Sequence, residues 1–137
     1  MKVAIRYFTK SKKGNTFKLA SRISKALEVE ALDVSNDLNE EVDILFLVNA
    51  MYAANIDKEV KVFIQRNKDN IKELVNLNTS ASGASTLKVV KKECDRNGVK
   101  VSEKEFHCRG SWIFINKGFP REEDFLAAEA FVKEIVK

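Results

Sequence analysis

Histidine, cysteine and long apolar runs are scarce in this sequence, and each scarcity excludes a class of function. His107 is the only histidine, so acid–base catalysis by two imidazoles is excluded. Cys94 and Cys108 have neither the spacing of a metal site nor that of a redox pair, which favours buried, reduced thiols. No apolar run approaches the roughly 20 residues that cross a bilayer, and Arg6 interrupts the first apolar segment, which is therefore a strand and not a signal peptide. We expect a cytoplasmic protein with no membrane partner.

The sequence also lacks the motifs of several common α/β proteins. Neither G-x-x-x-x-G-K-S/T nor G-x-G-x-x-G occurs, which argues against an ATP or dinucleotide site. A response-regulator receiver needs acidic residues after its first strand to bind magnesium, and an aspartate after its third strand to accept phosphate. Thr9, Lys10 and Asn49 stand at those places, so a receiver is excluded.

The composition is that of one globular domain spanning residues 1–137. Hydrophobic residues make up 45% and charged residues 32% of the chain, a balance unlike that of disordered or membrane proteins. The formal net charge is +4, so the surface attracts anions at long range. Because lysines are mixed with glutamates along the predicted helix faces, we expect no nucleic-acid partner.

Hydrophobic periodicity predicts strands and helices in alternation. Strands are predicted at residues 2–9, 29–34, 42–50, 73–79 and 99–108. Helices are predicted to begin at 14–16, to span 56–71, to end at Asn97 and Gly98, and to follow Pro120. This order implies an α/β fold with a doubly wound five-stranded parallel sheet and right-handed crossovers. Residues 35–41 are too few for a helical crossover, which predicts a thinly covered sheet face and a candidate dimer surface.

Three predicted loops follow the carboxyl ends of strands, where open parallel sheets bind their ligands. Residues 9–16 combine hydroxyls, a glycine and a helix start, a favourable setting for a phosphate. Residues 49–55 and 78–83 offer small side chains around Tyr52, which would let a flat ring approach the backbone. The structural alternatives are a lysine-rich turn capped by Asn15 or Thr16, and tight turns that favour small residues for their own geometry.

These segments resemble the short-chain flavodoxin family in order and spacing, nearly from end to end. Residues 3–9 and the Ser-Lys-Lys-Gly-Asn-Thr that ends at Thr16 look like the family's first strand and phosphate loop, whose pattern is (S/T)-x-(S/T)-G-x-(S/T). Residues 42–47, 51–53 and 56–60 are similar to the third strand, the flavin-flanking loop and the next helix, and 106–110 and 118–124 resemble the ending of small flavodoxin-like proteins. The resemblance implies strand order 2-1-3-4-5 in three layers, with FMN as the cofactor.

The resemblance also implies which residues hold FMN. The phosphate would lie in the first loop, with Thr9 as an alternative ligand, and the isoalloxazine between the second and third loops. The implied phosphate contacts are Ser11, Lys12, Gly14, Asn15 and Thr16. The implied ring contacts are Ala50, Met51, Tyr52, Ala53, Thr79, Ser80, Ala81 and Gly83, with Cys108, Arg109 and Gly110 close by. No catalytic residue and no metal ligand is predicted.

Three functions stay open from the sequence. An FMN-binding electron carrier is favoured, and a flavin-dependent NAD(P)H or quinone reductase and a flavin-free binding module are the alternatives. The reductase is limited by how little chain is left to shape a second substrate pocket. Residues 49–55 and 80–83 contain no carboxylate, and basic residues stand in neighbouring loops: Lys10, Lys12, Lys13 and Arg109. We therefore expect a redox partner with an acidic face, for a protein that is a monomer or a homodimer.

Overall fold

The computed structural model describes residues 1–10, 14–111 and 117–137. They form five strands: β1 Val3–Tyr7, β2 Ala31–Asp33, β3 Ile44–Ala50, β4 Leu74–Ser80 and β5 Phe106–Arg109. Their helices are α1 Asn15–Leu27, α2 Lys58–Asn67, α3 Leu87–Arg96 and α4 Glu122–Val136. All paired strands are parallel, in the order β2-β1-β3-β4-β5, so the predicted fold is confirmed. None of these described helices is long and apolar enough to cross a membrane.

β3 is the central strand because its sequence is apolar on both faces. Residues 44–49 are all buried. Side chains alternate across a strand, so the sheet divides the core in two. Ile5 and Phe46 face the half that α1 and α4 cover, whereas Leu45 and Leu47 face the half that α2 and α3 cover. The result is the predicted arrangement of three layers.

The connection between β2 and β3 covers the sheet face beside it, so the prediction of a thinly covered face is wrong. Arg6 of β1 is only 7% exposed. Its guanidinium donates hydrogen bonds to the backbone carbonyls of Asn36 and Asp37. Leu38 follows them and packs into the apolar core on that face. One arginine can serve several carbonyls at once, and this holds an irregular segment where a helix would not fit.

The predicted strand at 99–108 is shorter in the structure, where β5 begins at Phe106. Val101 forms only an isolated bridge with Leu74. The chain then leaves the sheet, and the hydroxyl of Ser102 accepts a hydrogen bond from the N–H of Lys104 at 3.0 Å. Such local bonds compete with strand pairing, which explains the late start of β5.

The predicted helix at 56–71 is shorter at both ends. Asp57 is the N-cap of α2, since its carboxylate accepts a hydrogen bond from the N–H of Glu59 at 2.9 Å. Ile56 therefore lies before the helix, although it is buried in the core. At the other end α2 stops at Asn67, and a single 3₁₀ turn, Lys68–Asn70, leads towards β4.

Cys94 of α3 and Cys108 of β5 are free thiols and both are buried, as predicted. Burial raises the pKa of each thiol to about 12. Both therefore stay protonated at neutral pH, and a protonated thiol is a poor nucleophile.

Candidate functional site

A cavity of about 730 Å³ opens at the carboxyl edge of the sheet. It lies beyond the ends of β1, β3 and β4, and the strand order reverses between β1 and β3. Cavities that bind small molecules and cofactors measure roughly 300–1,000 Å³, so this one has a suitable size. Its lining residues are Thr9, Lys10, Asn15, Thr16, Ala50, Met51, Tyr52, Ala53, Thr79, Ser80, Ala81, Gly110 and Ser111.

The structure brings most of the residues predicted for a flavin site together around this cavity. Those that line it are Thr9, Asn15, Thr16, Ala50, Met51, Tyr52, Ala53, Thr79, Ser80, Ala81 and Gly110. Those that do not line it are Gly14, Gly83, Cys108 and Arg109. Ser11, Lys12 and Lys13 lie outside the described residues. Lys10 and Ser111 also line the cavity, although the sequence analysis did not predict them as site residues. The sequence feature that could have indicated them is that each directly follows a predicted site residue.

Helix α1 begins beside the cavity, with Gly14 as its N-cap. The carbonyl of Gly14 accepts a hydrogen bond from the N–H of Lys18 at 3.0 Å. A glycine cannot cap with a side chain, so the alternative of an ordinary cap at Asn15 or Thr16 is not what the chain adopts. The first N–H groups of an α-helix have no acceptor within the helix, and the first turn of α1 carries no carboxylate. The helix dipole adds positive potential there, which favours an anion.

Thr16 and Thr79 connect α1 to the end of β4 at the cavity. Their hydroxyl oxygens lie 3.3 Å apart, and neither residue is more than 3% exposed. Each hydroxyl thus has a partner in the interior, where an unpaired one would be costly. The pair fixes the distance between the helix start and the third predicted loop.

Asn15 and Ser111 form the wall of the cavity next to the end of β5. The side-chain amide of Asn15 donates to the carbonyl of Ser111 at 2.9 Å, and its oxygen accepts from the Ser111 hydroxyl at 3.3 Å. Gly110 directly precedes Ser111 and donates its N–H to the carbonyl of Ser80 at 3.0 Å. Cys108 is buried at 8% exposure, on the side of β5 that faces the core, and so it does not reach the cavity.

The segment after β3 is a tight turn with two alanines in the left-handed region. Tyr52 and Asn55 exchange backbone hydrogen bonds of 2.7 and 2.9 Å. Between them, Ala53 has φ +50° and Ala54 has φ +61°. Positive φ at both central residues defines a type I′ turn, which favours asparagine and glycine. This conformation is sterically unfavourable for alanine, so the backbone of the turn is locally strained next to the cavity.

Tyr52 and Lys10 join the loop after β3 to the loop after β1. The Lys10 ammonium lies 4.2 Å from the centre of the Tyr52 ring, within cation–π range. Burial raises the pKa of Tyr52, and a hydrogen bond from the backbone of Lys10 offsets part of that rise. Tyr52 is therefore neutral at physiological pH, and its ring is a preformed flat surface at the cavity wall.

Gly83 and Arg109 contact each other outside the cavity, which is why neither lines it. Gly83 has φ +82°, and a Cβ there would lie 3.1 Å from Cγ of Arg109. The Gly83 carbonyl accepts a hydrogen bond from Nδ1 of His107 at 2.7 Å. Glu105 is hydrogen-bonded to the hydroxyl of Ser85. Every second residue from Glu105 to Arg109 thus contacts the segment between β4 and α3, on the side of that segment away from the cavity.

The charge at the cavity is positive. Lys10 is the one charged residue among the described residues that line it, and none of those residues is a carboxylate. Together with the start of α1, this ammonium favours an anionic ligand over a cationic one.

An open parallel sheet with a cavity at its switch point defines a doubly wound α/β protein, in which this position is the usual place for a ligand. The model of the flavodoxin domain family matches residues 7–110, which is well over half of the chain. The chain therefore belongs to the flavodoxin domain family, and the resemblance identified from the sequence is confirmed. No curated protein matches the chain in sequence.

Solved structures share the fold over nearly the whole chain. A flavodoxin from the domain Archaea superposes with a TM-score of 0.72 at 12% identity, covering 98% of this chain and 96% of the other. The NAD(P)H:quinone oxidoreductase of Methanothermobacter marburgensis gives 0.65 at 12% identity, covering 98% and 96%. A flavoprotein of Lactobacillus acidophilus NCFM in complex with FMN gives 0.63 at 14% identity, covering 79% and 92%. At these identities the likeness concerns the fold alone.

Proposed function

We propose that this protein binds FMN in the cavity and carries electrons through it. The observation that supports this best is that a single cavity joins the start of α1 to two strand-end segments, 50–53, where alanines flank Met51 and Tyr52, and 79–81, where all residues are small. The helix start suits a phosphate, and the segments leave room for a flat ring beside Tyr52. Bound FMN supplies the redox chemistry, and the protein supplies binding, orientation and electrostatics.

Each part of the cavity has a separate task in this proposal. Asn15 and Thr16 hold the phosphate end, together with the first N–H groups of α1. Gly110 lets the chain pass close beside Asn15, where any Cβ would collide with the Asn15 side chain. The isoalloxazine stacks on the face of the Tyr52 ring that the Lys10 ammonium does not cover. The absence of a carboxylate among the described lining residues avoids repulsion of the phosphate.

The carrier is preferred to a reductase with its own substrate. Within the described ranges, every helix and strand belongs to the sheet or to the layers that cover it, so no further element adds a wall for a second substrate beside the cavity. The quinone oxidoreductase of similar fold makes the reductase the second candidate. Oxidation of NADH by the FMN-loaded protein in the presence of a quinone, at a rate above that of free FMN, would favour the reductase.

The proposal extends to the partner. Lys10 lines the cavity, and Arg109 is exposed on the strand beside it. A partner protein with an acidic face would complement these charges and approach the cavity edge that they flank. Association should slow as salt is raised, because screening weakens the attraction between exposed charges.

Fluorescence titration with FMN and with riboflavin tests the proposed site. The wild-type protein should bind FMN more tightly than riboflavin, which has no phosphate. Thr16→Ala should weaken FMN binding far more than riboflavin binding, and adding Ser11→Ala should increase the difference. Ser24→Ala is the matched control, since this hydroxyl lies near the other end of α1 and donates to the Val29 carbonyl. Equal losses for both ligands, or no flavin binding by the wild type, would contradict the proposal.

A further inference from the structure

Three hydrogen bonds form a closed ring in the core between β3, β4 and the start of α3. The amide of Asn49 donates to Oδ1 of Asn76 at 2.7 Å, and the amide of Asn76 donates to Oγ1 of Thr86 at 2.9 Å. The Thr86 hydroxyl donates to Oδ1 of Asn49 at 2.7 Å and so completes the ring. All three residues are 0% exposed, and none of them lines the cavity.

On one face of the sheet, the ring takes the place of apolar side chains near the carboxyl ends of β3 and β4. Leu45 and Leu47 precede Asn49 on the same side of β3, and Leu74 precedes Asn76 on the same side of β4. Buried amides are costly unless they are paired, so a polar cluster at this depth is stable only when it is complete. Position 86 must both donate and accept, which a hydroxyl can do and a methyl group cannot.

The ring is connected to both segments that line the cavity. Asn49 directly precedes the lining residues 50–53. Thr86 ends the segment that begins with the lining residues 79–81, and its N–H donates to Oδ1 of Asn78 at 3.0 Å. Within that segment the carbonyl of Ala84 accepts hydrogen bonds from Asn78 and from Ser80, each at 2.9 Å.

We infer that the ring of Asn49, Asn76 and Thr86 fixes the spacing between the two cavity-lining segments, 50–53 and 79–81. The three are positioning residues, since they act through the segments and not by contact with a ligand. The inference rests on the proposed function only where it concerns flavin: the affinity for FMN and the environment of its ring should depend on residues that FMN does not touch. The contacts of His107 and Arg109 with the outer side of the same segment are exposed, so water competes with them more strongly than with the ring.

Thr86→Val and Thr86→Ser form the decisive pair of variants. Valine keeps the shape of threonine but leaves Asn49 and Asn76 without the hydroxyl, whereas serine keeps the hydroxyl. Asn67→Ala is the matched control, because Asn67 is a buried asparagine at the C-terminal end of α2, away from the ring, with hydrogen bonds to Leu38 and Phe63. Urea unfolding of each apoprotein then shows whether Thr86→Val and Asn67→Ala destabilise the fold to a similar degree.

Thr86→Val should weaken FMN binding roughly tenfold or more, because a lost buried partner lets the segment move. It should also change the near-UV and visible circular dichroism of bound FMN, which reports the surroundings of the ring. Thr86→Ser should restore both properties, and Asn67→Ala should leave both unchanged at similar loss of stability. Wild-type affinity and spectrum in Thr86→Val, or equal weakening in Asn67→Ala, would overturn the inference.

Amide hydrogen exchange of the apoprotein separates this inference from the proposed function. Thr86→Val should accelerate exchange at residues 50–53 and 80–85, whereas Asn67→Ala should not. If the wild type binds no flavin, the proposed function fails, and the exchange result still decides whether the ring holds the two segments. If Thr86→Val does not fold, Asn76→Ala is the second variant, since it also removes two of the three ring bonds but keeps the bond from Thr86 to Asn49. It should change exchange in the same segments, and unchanged exchange there would overturn the inference.

Discussion

Asn15 and Gly110 fit so closely that a Cβ on Gly110 would lie 2.8 Å from Nδ2 of Asn15. The same Cβ would lie 3.3 Å from Cβ of Thr79, so it would be crowded on a second side as well. Gly110→Ala should therefore displace the Asn15 side chain and break its bonds to Ser111. We expect a loss of about 1–3 kcal/mol in the free energy of unfolding, the usual cost of overpacking, and weaker FMN binding. Urea unfolding and a fluorescence titration measure the two effects.

A double-mutant cycle tests whether the clash is with Asn15. Asn15→Ala removes the atoms that a Cβ at position 110 would meet first. In that background Gly110→Ala should cost much less than in the wild type, because residues in contact are not additive. Equal costs in both backgrounds would show that the contact with Thr79 dominates.

The fold could be predicted because its strongest signals are local and agree with each other. The apolar run of β3 indicates a strand buried on both faces, and the alternation of strands with helices leaves few topologies. The three loops at the cavity then follow from the rule that ligands bind beyond the carboxyl ends of parallel strands. These inferences need only the order of elements and no side-chain geometry.

The finer geometry of the site depends on long-range contacts that no sequence pattern reveals. Gly83 belongs to a segment whose composition is typical of a ligand loop. It nevertheless lies outside the cavity, because it contacts Arg109 and His107 of the edge strand. Asn49 and Asn76 are typical of loops by propensity, yet both are buried in strands because Thr86 completes their ring. Tertiary partners override local preference in each case.

Ala54→Gly should stabilise the protein. Ala54 has φ +61°, a conformation that costs an L-residue roughly 1–2 kcal/mol and glycine almost nothing. Glycine also makes the unfolded chain more flexible, so we expect a net gain of about 0.5–1 kcal/mol. Ala127→Gly is the control, since the exposed middle of α4 should lose about 1 kcal/mol by the same chemical change. Thermal unfolding of the two variants should therefore shift in opposite directions.

Glu122→Gln should reduce stability at neutral pH and have a diminishing effect in acid. The guanidinium of Arg22 donates two hydrogen bonds, of 2.7 and 2.6 Å, to the Glu122 carboxylate and holds its pKa below the ordinary 4.5. A carboxyl with a lowered pKa in the folded state contributes stability above its unfolded pKa and loses it as pH falls through the folded value.

Urea midpoints of the wild type and of Glu122→Gln, measured from neutral pH downwards, test this ion pair. The two midpoints should differ at neutral pH and converge as the pH falls through the lowered pKa of the Glu122 carboxyl, where the wild-type side chain becomes protonated. Glu123→Gln is the control, because Glu123 is the next residue of α4 and its carboxylate is not part of the ion pair between Arg22 and Glu122. A difference that persists unchanged into acid would mean that packing of the side chain, and not its charge, stabilises the contact between α1 and α4.

Lys10→Gln should weaken FMN binding and leave riboflavin binding nearly unchanged. Lys10 is the one charged residue among the described lining of the cavity, so its loss removes attraction for the phosphate. We expect a several-fold loss of FMN affinity at low salt, of the order of 1 kcal/mol, that shrinks as salt is raised.

Lys25→Gln removes the same charge near the far end of α1 and should have no such effect. Lys10→Arg keeps the charge over the Tyr52 ring and should retain most of the affinity. Equal losses for FMN and riboflavin in Lys10→Gln would instead mean that Lys10 acts by holding the Tyr52 ring in place, since both ligands share the flat ring and only FMN carries the phosphate.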